Sequence, residues 1–273
     1  MIEALQELRW QLRRTRTAVI ALWFGIALFE FIQPVAIKSF GDLNRIMPLL
    51  GIVPPAFWSL LNITPDFLSA TGLTGFLSLG FTHPIYILLA ATAIIWYACR
   101  GLAGEMQRGS IQFSLSRPIT RAGLYASRVA GVLVVTTLIS LAGIAGMMAG
   151  IAFSRISGHV PPQRWLVTFA ACWLLIWAIG GISLLGSAAS DSMGRAVSLA
   201  IVVIVISYVI DYFAALWAFI RPLRPFSIFH YFSPSRALAH GVLPMTNVLV
   251  LGLAGIACAI AGGILFVRRD LPA

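Results

Sequence analysis

The sequence predicts an all-α polytopic membrane protein. Of its 273 residues, 59% are hydrophobic and 10% are charged, whereas soluble domains average about 45–50% apolar and about 25% charged residues. The mean hydropathy is +0.92. The apolar residues are concentrated in runs of the length that a helix needs to cross about 30 Å of hydrocarbon, roughly 20 residues. These observations exclude an ordinary soluble enzyme.

Six apolar runs are long enough to span a membrane. The first follows a basic segment that lacks a small-residue cleavage site, so we expect a retained helix and not a signal peptide. The second is the shortest and begins at a His-Pro pair. The predicted spans, all within a single transmembrane domain over 1–273, are 17–37, 83–99, 129–153, 165–189, 196–220 and 247–267.

Basic residues are distributed unevenly between the two sides of this predicted bundle. The chain has 19 Lys and Arg against 9 Asp and Glu, a formal net charge of +10. Twelve of the 19 basic residues fall on the side that holds both termini, so the positive-inside rule places both termini in the cytoplasm. The charge excess therefore reflects topology in a multi-pass protein of the cytoplasmic (inner) membrane, and we predict no nucleic-acid partner.

Two segments outside the spans have patterns of their own. Segment 1–14 alternates at helical spacing between an apolar face and a charged face, which predicts an amphipathic interfacial helix in contact with membrane lipid. The two faces are Ile2, Leu5, Leu8 and Leu12 against Glu3, Glu7 and Arg14. The outer segment 38–82 alternates Pro and Gly with apolar patches, which predicts short helices lying in the interface.

The loop over 100–124 is the only sizeable predicted cytoplasmic loop and has the most specific pattern in the chain. An acidic residue is followed by Arg-Gly-Ser, a short apolar segment and Arg-Pro-Ile-Thr-Arg. Pro118 disfavours helical geometry at Arg117, so we expect a short helix to end there. The candidate residues are Glu105, Arg108, Gly109, Ser110, Ile111, Leu115, Arg117, Pro118 and Arg121.

This loop resembles the region between the second and third spans of ABC-2-type transporter permeases. His83-Pro84 at the start of the second span, Ser233-Pro234 in the last outer loop and the 266–271 segment extend the resemblance over nearly the whole chain. The resemblance implies that the loop is a coupling helix that docks on a cytoplasmic ABC ATPase. Its apolar edge would enter the partner while Glu105 and Arg108 fix the register by ion pairs.

The resemblance also implies an assembly that exports substrate. Two permease subunits, as a homodimer or a heterodimer, would enclose a pathway, and two ATPase subunits would dock at the coupling helices and at the 190–195 turn. Eight Trp and 17 Phe suit a pathway for amphiphilic drugs or lipids, but they equally suit positions that face lipid. The sequence therefore leaves the substrate open.

The chain lacks an ATPase motif of its own. A P-loop ends in Gly-Lys-Ser/Thr, whereas the only lysine, Lys38, follows Ile37. HExxH and GxSxG are also missing, so we predict no catalytic residue, no metal site and no enzyme activity. We expect the chain to bind no cofactor, and the resemblance assigns ATP and Mg²⁺ to the partner ATPase.

Two carboxylates fall inside predicted spans, Glu30 in the first and Asp211 in the fifth. An ionised carboxylate at the bilayer centre costs about 2.5–3.5 kcal/mol, so neither is expected to face lipid. They either line a pathway or form hydrogen bonds between helices. Pro34 removes the donor for the Glu30 carbonyl, which predicts a kink or an early helix end. An alternative function uses both carboxylates, in a stand-alone ion-coupled transporter or a membrane-embedded enzyme.

The third span carries small residues at every fourth position: Ala142, Gly146 and Gly150. Such a stripe lets helix backbones approach closely. The sequence leaves open whether the stripe packs helices within one chain or between two chains.

Overall fold

The computed structural model describes residues 2–39, 64–112, 119–156 and 159–269, together with Ile52, Pro54 and Trp58. These residues form helices and no strands, and six of the helices are long and apolar enough to cross a membrane. This confirms the predicted fold class. The helices are α1 (Ile2–Ser39), α2 (Pro65–Thr71), α3 (Leu73–Thr82), α4 (Pro84–Gly101), α5 (Ala103–Gln107), α6 (Arg121–Ser154), α7 (Pro162–Ala188), α8 (Met193–Leu216), the 3₁₀ helices η1 (Ala218–Phe226) and η2 (Ile228–Tyr231), α9 (Pro234–His240) and α10 (Met245–Arg268).

Helix α1 joins two segments that were predicted separately. It continues without interruption over 38 residues, so the interfacial helix at 1–14 and the span at 17–37 form one helix. Such a helix is about 57 Å long, well beyond the hydrocarbon thickness. Pro34 lies inside the helix. Of the two outcomes predicted there, a kink or an early end, the early end is excluded, because the backbone stays helical as far as Ser39.

The outer segment differs from its predicted interfacial position where the structure describes it. Helices α2 and α3 are short, as expected, but α3 is buried and packs against α9 and α1. Phe76, Leu77 and Phe81 are each at most 5% exposed. The hydroxyls of Ser78 and Thr82 donate to backbone carbonyls within the helix, so its polar side chains can be buried among the other helices. Residues 40–51, 53, 55–57 and 59–63 lie outside the described residues.

Helices α1 and α6 run parallel, side by side, and form the most extensive contact between two helices of the bundle. Small residues of α6 make this approach possible. A Cβ atom at Gly146 or Gly150 would overlap the backbone carbonyl oxygen of Ala27 or Phe31, and Ala142 is fully buried. In the structure, the small-residue stripe therefore packs α6 against α1 within one chain.

Helix α7 lies at the centre of the bundle. It contacts α10, α4, α8, α6 and α9. At its contact with α10, a Cβ atom on Gly181 would overlap the backbone of Gly255, so these helices also approach at backbone distance. Helices α8 and α10 leave large apolar side chains exposed along their length, among them Leu199, Val202, Ile206, Leu253 and Ile260.

Candidate functional site

The short helix α5 lies where α4 ends, at the end of the bundle that holds the N-terminus. The chain bends at Leu102, with φ −120° and ψ −71°, and hydrogen bonds hold the bend to α7. The Ala103 amide donates to Ser187 Oγ (3.0 Å), and the Ser187 hydroxyl donates to the Cys99 carbonyl (3.3 Å). The position of α5 is therefore set by the central helix of the bundle.

A buried ion network centred on Arg128 connects α5 with α1 and α6. Arg128 Nη2 lies 2.9 Å from Glu7 Oε1 and 2.8 Å from Glu105 Oε2, and Nη1 donates to Gln11 Oε1 at 2.9 Å. Arg128, Glu7 and Glu105 are only 1%, 2% and 4% exposed. Charge-assisted hydrogen bonds of this kind are stronger than neutral ones. One guanidinium of α6 thus holds two helices that are distant in sequence.

The network determines the electrostatics of Glu105. Burial raises the pKa of the Glu105 carboxyl above its ordinary value of 4.5, while the positive charge of Arg128 opposes this rise. Glu7 adds a second negative charge close by, so two carboxylates share one guanidinium. A buried charge without a partner is strongly unfavourable. The ion pairs of Arg128 with Glu7 and Glu105 therefore hold α6, α1 and α5 together.

The predicted coupling residues fall in two different environments. Glu105 and Ile111 are buried in the chain, and Ile111 joins the hydrophobic core at 3% exposure. The expectation that these two side chains face a partner is therefore wrong, because each has its own partners inside the fold. Arg108 and Gly109 are exposed, and the Ser110 hydroxyl donates to the Glu105 carbonyl at 3.4 Å.

The remaining predicted residues lie further along the loop. Leu115, Arg117 and Pro118 lie outside the described residues. Arg121 begins α6 and donates from Nη1 to the Arg269 carbonyl at 2.8 Å. It therefore ties the start of α6 to the end of α10.

The turn after α5 requires a glycine. Gly109 has φ +66°, in the left-handed region that side chains disfavour, and its amide donates to the Met106 carbonyl at 3.0 Å. This closes α5 and exposes the turn. The backbone conformation of this turn therefore explains the glycine of the Arg-Gly-Ser pattern.

The turn between α7 and α8 lies beside α5. Gln107 Oε1 accepts a hydrogen bond from the Met193 amide at 2.9 Å. On the other side of this turn, Arg269 donates to the Ala188 carbonyl at 3.0 Å and forms an ion pair with Asp191. The 190–195 turn and the α5 turn, predicted as two docking elements, therefore form one continuous surface.

Three residues of the network were missed by the sequence interpretation. Glu7 was assigned only to the charged face of the predicted interfacial helix, whereas the structure buries it against Arg128. Gln11 and Arg128 were not singled out at all. The available signal was a Glu and a Gln at i,i+4 spacing, which lie on one helix face, together with an arginine at the edge of a long apolar run.

Glu30 and Asp211 lie in different parts of the fold. Glu30 is fully buried in α1 against Gly80 of α3 and Met147 of α6, and neither carboxyl oxygen has a hydrogen-bond partner among the described residues. Asp211 lies near the C-terminal end of α8, where its Oδ1 accepts a hydrogen bond from Arg224 Nε at 2.9 Å. The two carboxylates do not form one site.

Several motif residues act as helix caps. His83 Nδ1 accepts from the Ile85 amide at 3.2 Å at the start of α4, with Pro84 in its first turn. Thr120 Oγ1 accepts from the Gly123 amide at 3.0 Å at the start of α6. Such caps satisfy amides that a helix leaves without partners. These motif positions thus begin helices at defined residues.

Six membrane-length helices and an extramembrane helix held by a buried ion network define a multi-pass membrane protein with a structured surface at one end. A family model described as ABC-2 family transporter protein matches residues 59–271, and the chain belongs to this family. It is a membrane permease of an ABC transporter, a transport subunit of a family that associates with ABC ATPases. No curated protein matches the chain.

Proposed function

We propose that this chain is the permease subunit of an ATP-driven exporter in the inner membrane of a bacterium, with both termini in the cytoplasm. A separate ATPase subunit binds ATP and Mg²⁺ and docks on the surface formed by the α5 turn and the 190–195 turn. The uneven distribution of basic residues supports this orientation. The same surface holds the exposed side chains Gln107, Arg108 and Gln112.

The observation that carries this proposal is the Arg128 network. Helix α5 leads directly into the turn that forms part of the docking surface, and Arg128 connects it to α1 and α6 through bonds of 2.8–2.9 Å. Because separating these buried charges is costly, a displacement of α5 moves α1 and α6 with it. Nucleotide-driven closure of the ATPase can then shift the permease between inward-open and outward-open states.

Glu105 has a different role in this proposal from the one that the sequence pattern suggested. Its carboxylate is buried and bonded to Arg128, so it positions α5 and does not touch the ATPase. Arg108 remains exposed at the turn and is available for ion pairs with the partner. Recognition and transmission are thus assigned to neighbouring but different residues.

We also propose that two permease subunits assemble, each with one ATPase subunit. Helices α8 and α10 support this, because large apolar side chains are exposed along both helices and face either lipid or a second permease. Export is the direction implied by the sequence resemblance. The substrate class stays undetermined between amphiphilic drugs and lipids.

The first test is purification of the full chain from its native membrane, with an ABC ATPase expected to copurify. Hydrogen exchange is then compared with and without a non-hydrolysable ATP analogue, which needs no knowledge of the substrate. We expect the nucleotide to change exchange in α5 and in the adjoining turns of α1 and α6. In Glu105→Gln, the change should stay confined to α5.

Asp66→Asn provides the matched control, since Asp66 is an exposed carboxylate outside the candidate site. It should behave as the wild type does. An identical response of α1 in Glu105→Gln and in the wild type would contradict the transmitting role. Absence of any copurifying ATPase would contradict the proposed function as a whole.

A further inference from the structure

Three arginines from separate elements surround a small cleft beside the Arg128 network. They are Arg14 of α1, Arg100 at the end of α4 and Arg108 after α5. The cleft has a volume of about 10 Å³, enough for one water-sized group. Its other lining residues are Trp10, Gln11, Thr15, Tyr97, Gly101 and Glu105.

The cleft carries an excess of positive charge. Among the described residues, no carboxylate forms an ion pair with Arg14, Arg100 or Arg108. The charges of Arg14 and Arg108 both act on Arg100. Glu105 is the one carboxylate in the lining, and it pairs with Arg128 at 2.8 Å, so three lining arginines face a single negative charge. Three cations beside one carboxylate leave a net positive charge, which attracts an anion.

A buried hydroxyl in the lining also lacks a partner. Tyr97 is 1% exposed, and its hydroxyl has no hydrogen-bond partner among the described residues. Buried hydroxyl groups are usually hydrogen-bonded, because leaving one unpaired costs free energy. The hydroxyl lies beside Gly131 of α6, so a ligand oxygen that reaches this depth would accept the hydrogen bond.

The cleft has aromatic neighbours of the kind found at a membrane surface. The Arg14 guanidinium lies 5.1 Å from the Trp10 ring centroid, and Arg100 lies 5.1 Å from that of Trp96. Tryptophan concentrates at the membrane–water interface, and arginine at a span end extends its charge to the same level. The cleft opens where α4 ends, so lipid headgroups are the anions at this depth.

We propose that this cleft binds the phosphate of an anionic phospholipid from the leaflet at the N-terminal end of the bundle. Arg14, Arg100 and Arg108 surround the phosphate at the mouth of the cleft, and one oxygen enters to accept from the Tyr97 hydroxyl. This inference rests on the proposed orientation, since the cytoplasmic leaflet is rich in anionic lipid. The lipid would join α1, α4 and the α5 turn, and so stabilise the arrangement that the Arg128 network holds.

The test uses the full chain alone, without an ATPase, in nanodiscs of phosphatidylcholine with or without phosphatidylglycerol. We expect phosphatidylglycerol to raise the Tm of the wild type by about 5 °C. The triple variant Arg14→Gln, Arg100→Gln, Arg108→Gln should lose this rise, and Tyr97→Phe should lose part of it. Native mass spectrometry should show one retained phosphatidylglycerol per wild-type chain and none in the triple variant.

The matched control removes three other arginines from the same part of α1: Arg9→Gln, Arg13→Gln, Arg16→Gln. It should keep the Tm rise and the retained lipid. Equal loss in both triple variants would show a general basic surface and overturn the proposal. An equal Tm rise from millimolar inorganic phosphate in phosphatidylcholine nanodiscs would overturn the lipid as the ligand.

The same experiment distinguishes a folding defect of the variant from a loss of lipid binding. In pure phosphatidylcholine, the Arg14/Arg100/Arg108 variant should have the wild-type Tm, which shows that it is folded. If the triple variant is unstable in phosphatidylcholine, the test depends on Tyr97→Phe. A full Tm rise with phosphatidylglycerol in Tyr97→Phe would contradict the hydroxyl contact. Because no ATPase is present, failure of the ATP-driven proposal would leave these outcomes unchanged.

Discussion

Two ion-paired clusters, one at each end of the bundle, hold a non-spanning element against a membrane span. At the N-terminal end, Arg128 of α6 binds Glu105 of α5 and Glu7 of α1. At the opposite end, Asp211 of α8 binds Arg224 of η1. Their distances are alike at 2.8–2.9 Å, so the difference between them lies in burial.

The side chains of the Arg128 network are 1–6% exposed, whereas Arg224 is 29% exposed and Asp211 is 11% exposed. Water near an exposed pair screens the attraction and also solvates either group when its partner is lost. In the buried network, a charge that loses its partner is left poorly solvated, which is costly. The Arg128 network therefore links its three helices firmly, whereas the Asp211 pair fastens a surface helix.

A histidine beside the Asp211–Arg224 pair adds no further charge to it. His230 Nδ1 lies 3.9 Å from Asp211 Oδ1. Burial and then the positive charge of Arg224 lower the pKa of His230 below its ordinary value of 6.5. His230 is therefore neutral at pH 7 and adds no charge to the pair. The Asp211 cluster depends on a single ion pair, while the Arg128 network joins three charged groups.

The largest expected effect comes from Arg128→Met. It removes the guanidinium from two buried carboxylates, and breaking a buried pair in this way costs about 3–5 kcal/mol. We expect the free energy of unfolding, measured by denaturant titration in detergent, to fall by that amount. Replacing all three groups, in Glu7→Gln, Glu105→Gln, Arg128→Met, should recover most of the loss. A wild-type stability for Arg128→Met alone would contradict the buried network.

The next effect is a pH dependence that Glu105 imparts. Because burial raises the pKa of Glu105, the folded state binds the proton of this carboxyl more tightly than the unfolded chain does. The free energy of unfolding therefore falls as the pH rises from 4.5 through the raised pKa. We expect the stability of the wild type relative to Glu105→Gln to decrease over this range. The measurement is a denaturant titration of both proteins at a series of pH values. A difference that does not change with pH would show that Glu105 is not held as described.

The smallest effect is expected from Asp211→Asn. A partly exposed pair contributes about 0–1 kcal/mol after solvent screening, and Arg224→Gln should cost a similar amount. In the double variant the two losses should not add, because each removes the same interaction. The denaturant titration used for Arg128→Met provides the direct comparison. A loss as large as that of Arg128→Met would remove the distinction between the two ends.

The positions of the spans follow largely from local properties of the chain, but their ends do not. The third span was predicted to begin at 129, whereas α6 begins at Arg121, because the Thr120 cap starts the helix before the apolar run begins. Hydropathy detects the part of a helix that suits lipid and misses its polar extension. The same reason hid Arg128, which lies in that extension.

The candidate site shows the limit of the sequence more sharply. The acidic residue followed by Arg-Gly-Ser indicated the correct segment, and the positive φ of Gly109 explains the glycine of this pattern. The sequence could not predict the partners of Glu105, because Glu7 and Arg128 come together only through the parallel packing of α1 and α6. That packing depends on Gly146 and Gly150, whose stripe fits a contact within one chain or between two.

The sequence by itself determined that this chain is a six-span membrane protein with a basic end, because span length, hydropathy and charge bias are properties of short segments. The resemblance of its loop to ABC-2-type permeases was likewise contained in consecutive residues. Only the tertiary structure decided that Glu105 faces inward to Arg128 and that Asp211 pairs with Arg224. Such pairings join distant residues, and they form because a buried charge is stable only beside its partner.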